Sequence, residues 1–505
     1  MKKIIYIPLD ERPCNRLFPM MMAESQHTIE IVSPPVKLLS QKKRTADIEG
    51  LWDFVFRQIE TGDALIMPLE MMGYGGLLPS RLHHRDIQQR KILIERMKRL
   101  KITAPHLKIY MSALIMRTPQ YNSADEEPDY YEEYGYRLFR NAYLLDKKNR
   151  VGLSESEEQE WKAIEIPKVY QRDYEERRQY NRETLLEILE LVESHVIDFM
   201  VIPQDDSSEY GYTAIDQHSI SQKIRDLRLQ TSVMMYPGAD ESGATLLGRC
   251  FNELLGQCPK IYPYFSSIQG PLIIPKYEDR PMYESLQSHI YAAGCQEAKT
   301  VEEADFILAI NCPGKIMEEA MMQGEKDISY TSHRHLLSFV YHIKQWLDMK
   351  KPVALADCAF INGGEVELVT LLDDLEILDR LISYKGWNTY CNTLGTSIAQ
   401  GIFAYHQADV PSIMHHLIYH LLDDLFYQAI IRPQITATLK DKGLSYFDLK
   451  TQGPLISKEI ERQMHRYYQH FIKHSFKNVT ITELKAYSPW NRMFEVGLDL
   501  KIEVK

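Results

Sequence analysis

The chain has 505 residues, a formal net charge of −11 and a hydrophobic fraction of 44%. A chain of this length buries enough apolar surface for two or three domains. The acidic balance excludes the basic footprint of a nucleic-acid-binding surface. No apolar stretch approaches the roughly 20 residues of a membrane span. We therefore expect neither nucleic acid nor a membrane as a partner.

The seven cysteines are scattered and form no CxxC pair. This usage argues against a structural zinc site and a disulfide framework, and it favours a reducing, cytoplasmic location. The first apolar run is interrupted by Pro8 and Asp10, so it is too short for the apolar core of a signal peptide. We interpret it as a first β-strand.

The first 118 residues alternate short apolar runs with charged helical stretches, which predicts a parallel sheet covered by helices. Strands are predicted at 3–8, 29–33, 64–68 and 108–114. Helices are predicted at 47–60 and 86–100. A polar segment at 119–196 predicts a helical insertion. Strands resume at 199–203 and 231–236, and a short amphipathic helix ends at Gly256.

Residues 257–275 are rich in Pro, Tyr and Ser and are interpreted as a crossing between domains. A second series of strands and helices starts near 276, and its last strand and turn are predicted within ISYKGWNTYCNTLG. The fold class is therefore α/β, with two parallel-sheet domains and a helical C-terminal region that ends in a β-hairpin at 479–504. The predicted domains are 1–260, 261–400 and 401–505. A (β/α)8-like barrel is the alternative for the first domain.

Acidic residues end several of the apolar, strand-like runs, as in IIYIPLDERP, FMVIPQDDSSEYG and SVMMYPGADESG. In parallel α/β folds the carboxyl ends of the strands open on one side, where ligands bind. Several acidic strand ends on one side would therefore form a carboxylate-rich site.

Asp205-Asp206 and Asp240-Glu241 are the candidate catalytic residues. Two carboxylates in one apolar pocket cannot both ionise freely, so one pKa rises and the pair can divide acid and base work. Glycosidases require such a division. YPGADE is similar, over these few residues, to the Gly-Asp-Glu strand end of β-hexosaminidases. Alternatively, one carboxylate of each pair caps the following helix while its neighbour faces water.

Candidate substrate-binding residues follow other strands. Asp10, Glu11 and Arg12 follow the first strand, where Arg12 could hold an anionic group or fix Glu11. Glu70 precedes a glycine-rich loop that permits close backbone approach to a ligand, and Arg81 could serve an anion beside it.

The second domain and the tail contribute amide and indole groups that suit sugar hydroxyls and ring faces, although turn-forming Asn and a core Trp would give the same residues. These candidates are Asp357, Asn362, Trp387, Asn388, Asn392, Trp490 and Arg492.

His416 and His420 lie one helical turn apart, with Asp423 and Asp424 one turn further. This spacing can bind zinc, but HExxH is absent, so we favour a helix-surface pair over a metal site. No cofactor is predicted. Under an alternative function, the acidic strand ends would hold Mg²⁺ or Mn²⁺.

Seven motifs, taken together and in order, resemble one bacterial family over nearly the whole chain. They are IPLDERP, GYGGLLPSR, PQDDSSEYG, YPGADE, ADCAFINGG, GWNTYCNTLGT and PWNRMFE. The family is the domain of unknown function four-one-two-seven. The resemblance implies a cytoplasmic protein of similar size with a shared site, and it implies no activity.

The leading hypothesis is a cytoplasmic hydrolase of glycosidase type that acts on a small glycoside or an amino-sugar-containing substrate in an interdomain cleft. One alternative is a divalent-metal-dependent phosphoryl hydrolase or transferase that uses the same carboxylates as ligands. Another is a non-catalytic sugar-binding protein. The sequence leaves the oligomeric state open.

Overall fold

A computed structural model describes residues 1–205, 207–406 and 408–505. The chain forms two compact units, each assembled from separate segments. The first unit comprises residues 1–11, 30–246 and 277–279, and the second comprises 12–29, 247–276 and 280–505. The three-part division at residues 260 and 400 stays a prediction.

The first sheet confirms all six strands predicted for this part of the chain. Its strands are β1 (Lys2–Tyr6), β2 (Ile29–Val32), β3 (Ala64–Pro68), β4 (Lys108–Ser112), β5 (Phe199–Gln204) and β6 (Val233–Pro237). They lie in the order β2-β1-β3-β4-β5-β6, and the neighbours from β1 to β6 pair in parallel. The sheet is open, with β2 and β6 at its edges, so the barrel alternative is not confirmed.

The helices of this half of the chain follow the expected alternation with the strands. They are α1 (Pro13–Glu24), α2 (Ile48–Gln58), α3 (Ile87–Thr103), α4 (Tyr131–Arg150), α5 (Glu155–Ala163), α6 (Lys168–Glu193), α7 (Tyr212–Asp226) and α8 (Ser242–Leu255). Local capping fixes two helix starts, because Asp86 before α3 and Ser154 before α5 each form a capping box. The segment predicted as a helical insertion holds α4, α5 and α6.

The first core lies between the sheet and the helices that cover it. Residues of β3 are buried throughout, as expected for a central parallel strand covered on both faces. Leu65 and Met67 of β3 pack in one cluster with Leu51 of α2, Met97 of α3 and Ile188 of α6. This packing holds the carboxyl ends of β3, β4 and β5 at a common edge.

The remaining strands form a second parallel sheet, a short pair and a hairpin. They are β7 (Lys260–Phe265), β8 (Gln296–Glu297), β9 (Phe306–Asn311), β10 (Glu318–Glu319), β11 (Val353–Asp357), β12 (Phe360–Ile361), β13 (Ser383–Lys385), β14 (Val479–Tyr487) and β15 (Gly497–Val504). The second sheet has the order β13-β11-β9-β7-β8, and β14 pairs antiparallel with β15. The predicted second sheet and terminal hairpin are both confirmed.

The interpretation of residues 257–275 as a crossing is wrong for 260–265, which form β7. The crossing was inferred from the Pro, Tyr and Ser content, and within sheets proline is confined to edges and strand starts. However, β8 pairs only with Lys260 and Ile261, so β7 has an open edge where Pro263 lies. Proline is tolerated there, and the strand continues beside β9 to Phe265.

Both sheets share one strand order. If the strands of each sheet are numbered along the chain, both contain the arrangement 2-1-3-4-5. This doubly wound arrangement places ligands at the carboxyl ends of the strands, where the strand order reverses. The sequence shows no corresponding repeat.

Helices dominate the rest of the second half of the chain. They are α9 (Met282–Ala292), α10 (Ser329–Ser332), α11 (Leu336–Asp348), α12 (Val366–Asp374), α13 (Tyr390–Ala404), α14 (Val410–His420), α15 (Arg432–Leu439) and α16 (Gly453–Phe471). A π-helical segment, Leu421–Ile431, joins α14 to α15. The predicted last strand is shorter than expected, because Thr389 caps α13 and the chain is helical from Tyr390. Among the described helices, none has the length and hydropathy required to cross a bilayer.

Candidate functional site

A small pocket, here called the acid pocket, lies in the first unit at the carboxyl ends of three adjacent strands. Its lining includes Glu70 after β3, Arg117 after β4 and Asp205 after β5, together with Arg81. The pocket holds about 20 Å³ of free space. A cavity needs at least about 10–15 Å³ to hold a water, so this space fits roughly one water molecule.

Arg81 and Arg117 organise the acid pocket through a network of ion pairs. Arg81 donates to Glu126 at 3.2 Å, to Glu127 at 3.1 Å and to Asp205 at 2.9 Å. Arg117 donates to Glu126 at 2.7 Å and to Glu127 at 2.9 Å. Among the described residues, these bonds place two guanidinium groups against three carboxylates and hold Asp205 beside a cation.

Glu70 is the carboxyl group of the acid pocket whose pKa lies near neutral pH. It begins a π-helical turn, Glu70–Tyr74, and one carboxylate oxygen accepts from the Leu114 N–H at 2.8 Å. The other oxygen, Oε2, is buried and meets no hydrogen-bond partner among the described residues. Burial raises the pKa of Glu70 to about 7, although the Leu114 N–H and the charge of Arg81 oppose the shift. Glu70 therefore exchanges a proton near neutral pH, while Asp205 is paired with a cation.

The glycine loop after Glu70 approaches the chain itself closely. A Cβ on Gly76 would lie 2.7 Å from Ser40, and one on Gly75 would lie 2.3 Å from Thr45. Both glycines have positive φ, 87° and 130° for Gly75 and Gly76. The close approach in the structure is made to residues 40–46, and the approach to a ligand stays a prediction.

Replacing Gly76 with Ala is expected to destabilise the protein by about 1–3 kcal/mol, because the left-handed conformation and the contact with Ser40 both disfavour a Cβ. Chemical denaturation would measure this loss. Gly324→Ala is the matched control, since a Cβ there meets nothing within 4 Å. An equal loss in the two variants would contradict the packing argument.

Two further acidic candidates of the first unit, Asp10 and Glu11, follow the neighbouring strand β1. Asp10 follows β1 and is 1% exposed. Glu11 accepts from Ser40 at 3.0 Å and from the Lys42 N–H at 2.8 Å, which braces the loop. Asp206 lies outside the described residues.

Asp240 and Glu241 lie between β6 and α8, and both are buried. Glu241 accepts from the Ala239 N–H at 2.9 Å. Gly238 has a φ of 147°, and a Cβ there would lie 2.0 Å from this carboxylate, so both the backbone conformation and the contact favour glycine. The neighbouring loops meet where the Gly238 N–H donates to Gln204 O at 3.4 Å. The catalytic roles of both pairs stay predictions.

In the second unit, two predicted arginines lie over one indole ring. The guanidinium carbons of Arg12 and Arg492 lie 4.7 Å and 4.4 Å from the Trp490 ring centroid. Arg492 also donates to both oxygens of Glu495, at 3.2 Å and 3.1 Å. Arg12, Arg492 and Glu495 are buried, so the hairpin connection is a packed cluster and not an exposed turn.

Asp357 belongs to a buried polar network at the carboxyl edge of the second sheet. It accepts from Asn311 at 2.8 Å, from the Glu365 N–H at 2.6 Å and from the Tyr384 hydroxyl at 3.1 Å. Burial and the charge of Glu365 raise the pKa of Asp357 to about 6. Glu365 is in turn held by Arg334.

The remaining candidates of the second unit occupy turns and a helix start. Asn362 and Asn388 have positive φ, 61° and 62°, and the Asn362 N–H donates to Asn388 O at 3.0 Å. Asn392 donates through Nδ2 to Thr389 Oγ1 at 3.0 Å in the first turn of α13. Trp387 is 7% exposed and packs against Phe494. These positions agree with the alternative of turn-forming Asn and a core Trp.

The interpretation of His416 and His420 as a helix-surface pair is wrong, because both are buried, as are Asp423 and Asp424. His420 Nδ1 lies 3.1 Å from Asp424 Oδ1, and burial lowers the pKa of His420 to about 4. α14 faces α1 and β13 and is therefore covered, which its own sequence did not reveal.

Among the described residues, the group close enough to share one metal ion is Asp373, Asp374 and His474. Asp373 already accepts from the N–H groups of Lys473, His474 and Ser475 at 2.8–3.0 Å. Its carboxylate is therefore occupied in holding the chain after α16.

Sequence inspection missed Arg117, Glu126 and Glu127 of the acid pocket. The strand ends were inspected for acidic residues, but the residue that follows the apolar run of β4 is basic, Arg117. Glu126 and Glu127 precede Pro128 near the start of α4 and were assigned to the insertion. A search for basic as well as acidic residues after each strand would have found Arg117.

Two open parallel sheets of the same strand order, with an acid–base group at the carboxyl edge of the first, define a doubly wound α/β protein with a candidate acid–base site. The family model described as protein of unknown function (DUF4127) matches residues 4–499, and the chain belongs to this family. A comparison with curated proteins finds no match to the chain.

Proposed function

We propose that this protein is a cytoplasmic hydrolase of glycosidase type that acts on a small glycoside or amino-sugar-containing substrate. The observation that carries the proposal is the contrast between two carboxyl groups that line one pocket. Glu70 has a pKa raised to about 7, whereas Asp205 is bound to Arg81 at 2.9 Å. Groups whose environments differ in this way divide into an acid and a base or charge stabiliser.

In this mechanism Glu70 is the general acid and Asp205 the ionised partner. The pocket fits about one water, so the sugar lies outside it, above the partly exposed side chains of Asp205 and Glu126. Glu70 protonates the leaving oxygen through that water, which lies within the reach of general acid catalysis. Asp205 stabilises positive charge on the sugar or activates the attacking water.

The cytoplasmic location is supported by the cysteines. All seven are free thiols, and six of them are buried. Free buried thiols fit a reducing compartment.

The proposal is tested with a panel of chromogenic glycosides and phosphate esters, each assayed with and without EDTA. Turnover of a glycoside that survives EDTA and is lost in Asp205→Asn supports the glycosidase mechanism. If the protein instead turns over phosphate esters and EDTA abolishes this activity, the metal-dependent phosphoryl alternative replaces the glycosidase mechanism. Saturable sugar binding without turnover would leave the non-catalytic alternative.

The titration of Glu70 is expected to appear in stability even without a substrate. The folded state binds the Glu70 proton more tightly than the unfolded state, so native stability falls as pH rises from the ordinary pKa of 4.5 to about 7. Glu70→Gln lacks this loss.

When pH rises from about 4 to about 8, the native protein should therefore lose more stability than Glu70→Gln does. A pKa change from 4.5 to about 7 corresponds to about 3 kcal/mol. Urea denaturation at the two pH values measures the shift. Glu60→Gln, an exposed control, should show none. Equal pH dependence in all three proteins would contradict a raised Glu70 pKa.

A further inference from the structure

The second unit contains a larger pocket, here called the edge pocket, beside the open edge of β7. Its volume is about 470 Å³. Ligand pockets in proteins commonly occupy about 300–1,000 Å³, so the edge pocket is large enough for an organic molecule. The acid pocket of the first unit, in contrast, has room for about one water.

The walls of the edge pocket are aromatic and apolar. Tyr262 and Phe265 come from β7, Pro271 from the segment after it, and Tyr283 from the first turn of α9. The Phe265 and Tyr283 rings lie 6.4 Å apart between centroids. Faces of this kind suit an apolar, preferably aromatic, ligand group.

Two charged residues of opposite sign complete the lining. Glu297 ends β8, and Lys299 follows two residues later. The Tyr283 hydroxyl donates to the two Glu297 oxygens at 2.8 Å and 3.0 Å, and Gln287 also donates to this carboxylate. The Glu297 carboxylate is therefore fixed in place by neutral donors.

Neither charge is neutralised by an ion pair within the part of the chain that the structure describes. Glu297 has neutral donors, and Lys299 is exposed. The pocket thus presents one anion, one cation and an aromatic wall, which is the complement of a zwitterion with an aromatic side chain.

The open strand edge accounts for the pocket. β8 pairs with β7 at Lys260 and Ile261, and the Ala298 N–H closes the ladder by donating to Ile261 O at 2.7 Å. Beyond that point β7 continues to Phe265 without β8 beside it. The missing strand leaves the space in which a ligand fits.

We propose that the edge pocket binds a free aromatic α-amino acid. Glu297 binds the ammonium group, Lys299 the carboxylate, and the rings of Phe265 and Tyr283 contact the side chain. This site is independent of the hydrolase proposal, since it uses residues of the second unit alone.

Isothermal titration calorimetry of the full chain tests the proposal with L-phenylalanine, phenylalaninamide, N-acetylphenylalanine and the dipeptide Phe-Gly. L-phenylalanine should bind with a saturable signal. Phenylalaninamide and N-acetylphenylalanine, which each lack one of its charges, should bind about tenfold more weakly, or by about 1.4 kcal/mol. If Phe-Gly, whose Phe carboxyl group is an amide, binds more tightly than the free amino acid, the proposed role of Lys299 is overturned.

Two variants test which ligand group each charged residue binds. Lys299→Gln should remove the preference for phenylalanine over its amide, and Glu297→Gln should remove the preference over the N-acetyl form. Glu303→Gln and Lys458→Gln, both exposed, are the matched controls and should bind like the native protein. No saturable binding by any of the four compounds, or preferences that survive both variants, would overturn the proposal. Unchanged thermal transitions verify that the variants are folded.

Discussion

Replacing Glu70 with Gln is expected to reduce glycoside hydrolysis by about 10²–10⁴-fold, the usual contribution of a general acid. Gln has nearly the same shape and can still accept from the Leu114 N–H, but it has no proton to give to the leaving oxygen. In the native protein the activity should fall on the alkaline side of the pH profile, as pH rises through about 7 and Glu70 loses its proton. Steady-state kinetics across pH with the glycoside found in the panel measures both effects.

Two comparisons make this result specific to proton donation. Glu60→Gln, an exposed substitution in the same unit, should retain native activity and the native pH profile. A substrate with a good leaving group needs less protonation, so Glu70→Gln should lose less activity on it than on a poor one. Native activity in Glu70→Gln, or an equal loss on both substrates, would remove Glu70 from the acid role.

Replacing Arg334 with Met is expected to destabilise the protein by about 3–5 kcal/mol, the cost of breaking a buried ion pair from one side. Arg334 and Glu365 are 1% and 0% exposed in their side chains. Arg334 donates to Glu365 at 2.6 Å and to Asn311 at 2.9 Å. Without the guanidinium, the buried carboxylate at the edge of the second sheet loses its main compensating charge. Urea denaturation at neutral pH measures the loss.

The control for this effect is Arg462→Met. Arg462 pairs with Glu459 on an exposed helix surface, where an ion pair contributes about 0–1 kcal/mol. Arg334→Lys should fall between the two variants, because it keeps the charge and loses the paired geometry. Similar losses for Arg334→Met and Arg462→Met would show that the buried pair contributes no more than a surface pair.

The same pair should give the native protein an acid-sensitive stability. Burial raises the pKa of Glu365, but the hydrogen bond and charge of Arg334 outweigh it and leave the pKa below the ordinary 4.5. A carboxyl group with a lowered folded pKa stabilises the fold above its unfolded pKa, and this stabilisation is lost as pH falls through the folded pKa. Arg334→Met should therefore lose less stability on acidification than the native protein.

Much of the fold was predictable from local patterns. The six strands of the first sheet, the second parallel sheet and the β14–β15 hairpin all follow from apolar runs of strand length. β7 was missed because its stretch is rich in Pro, Tyr and Ser, which is the composition of a connection. Only the shortness of β8 leaves an open edge at Pro263. The start of α13 was missed because the Asn- and Gly-containing stretch before Leu394 has the composition of a turn.

The site was predictable in part. Glu70 and Asp205 were identified as candidates because each follows an apolar strand, and Arg81 because it could serve an anion beside the glycine-rich loop. Their roles were not predictable, because the raised pKa of Glu70 depends on how completely the fold excludes water from it. Burial likewise decided that His416 and His420 lie inside the second unit.

The sequence by itself determined the α/β class, the strand ends at which polar groups gather and the family to which the chain belongs. These features depend on residues that are neighbours along the chain, and local periodicity records them. Only the tertiary structure decided which carboxyl group holds a proton near neutral pH, which arginine holds Asp205, and where β7 leaves an open edge. These properties arise from contacts between segments far apart in the chain, and from the removal of water where those segments meet.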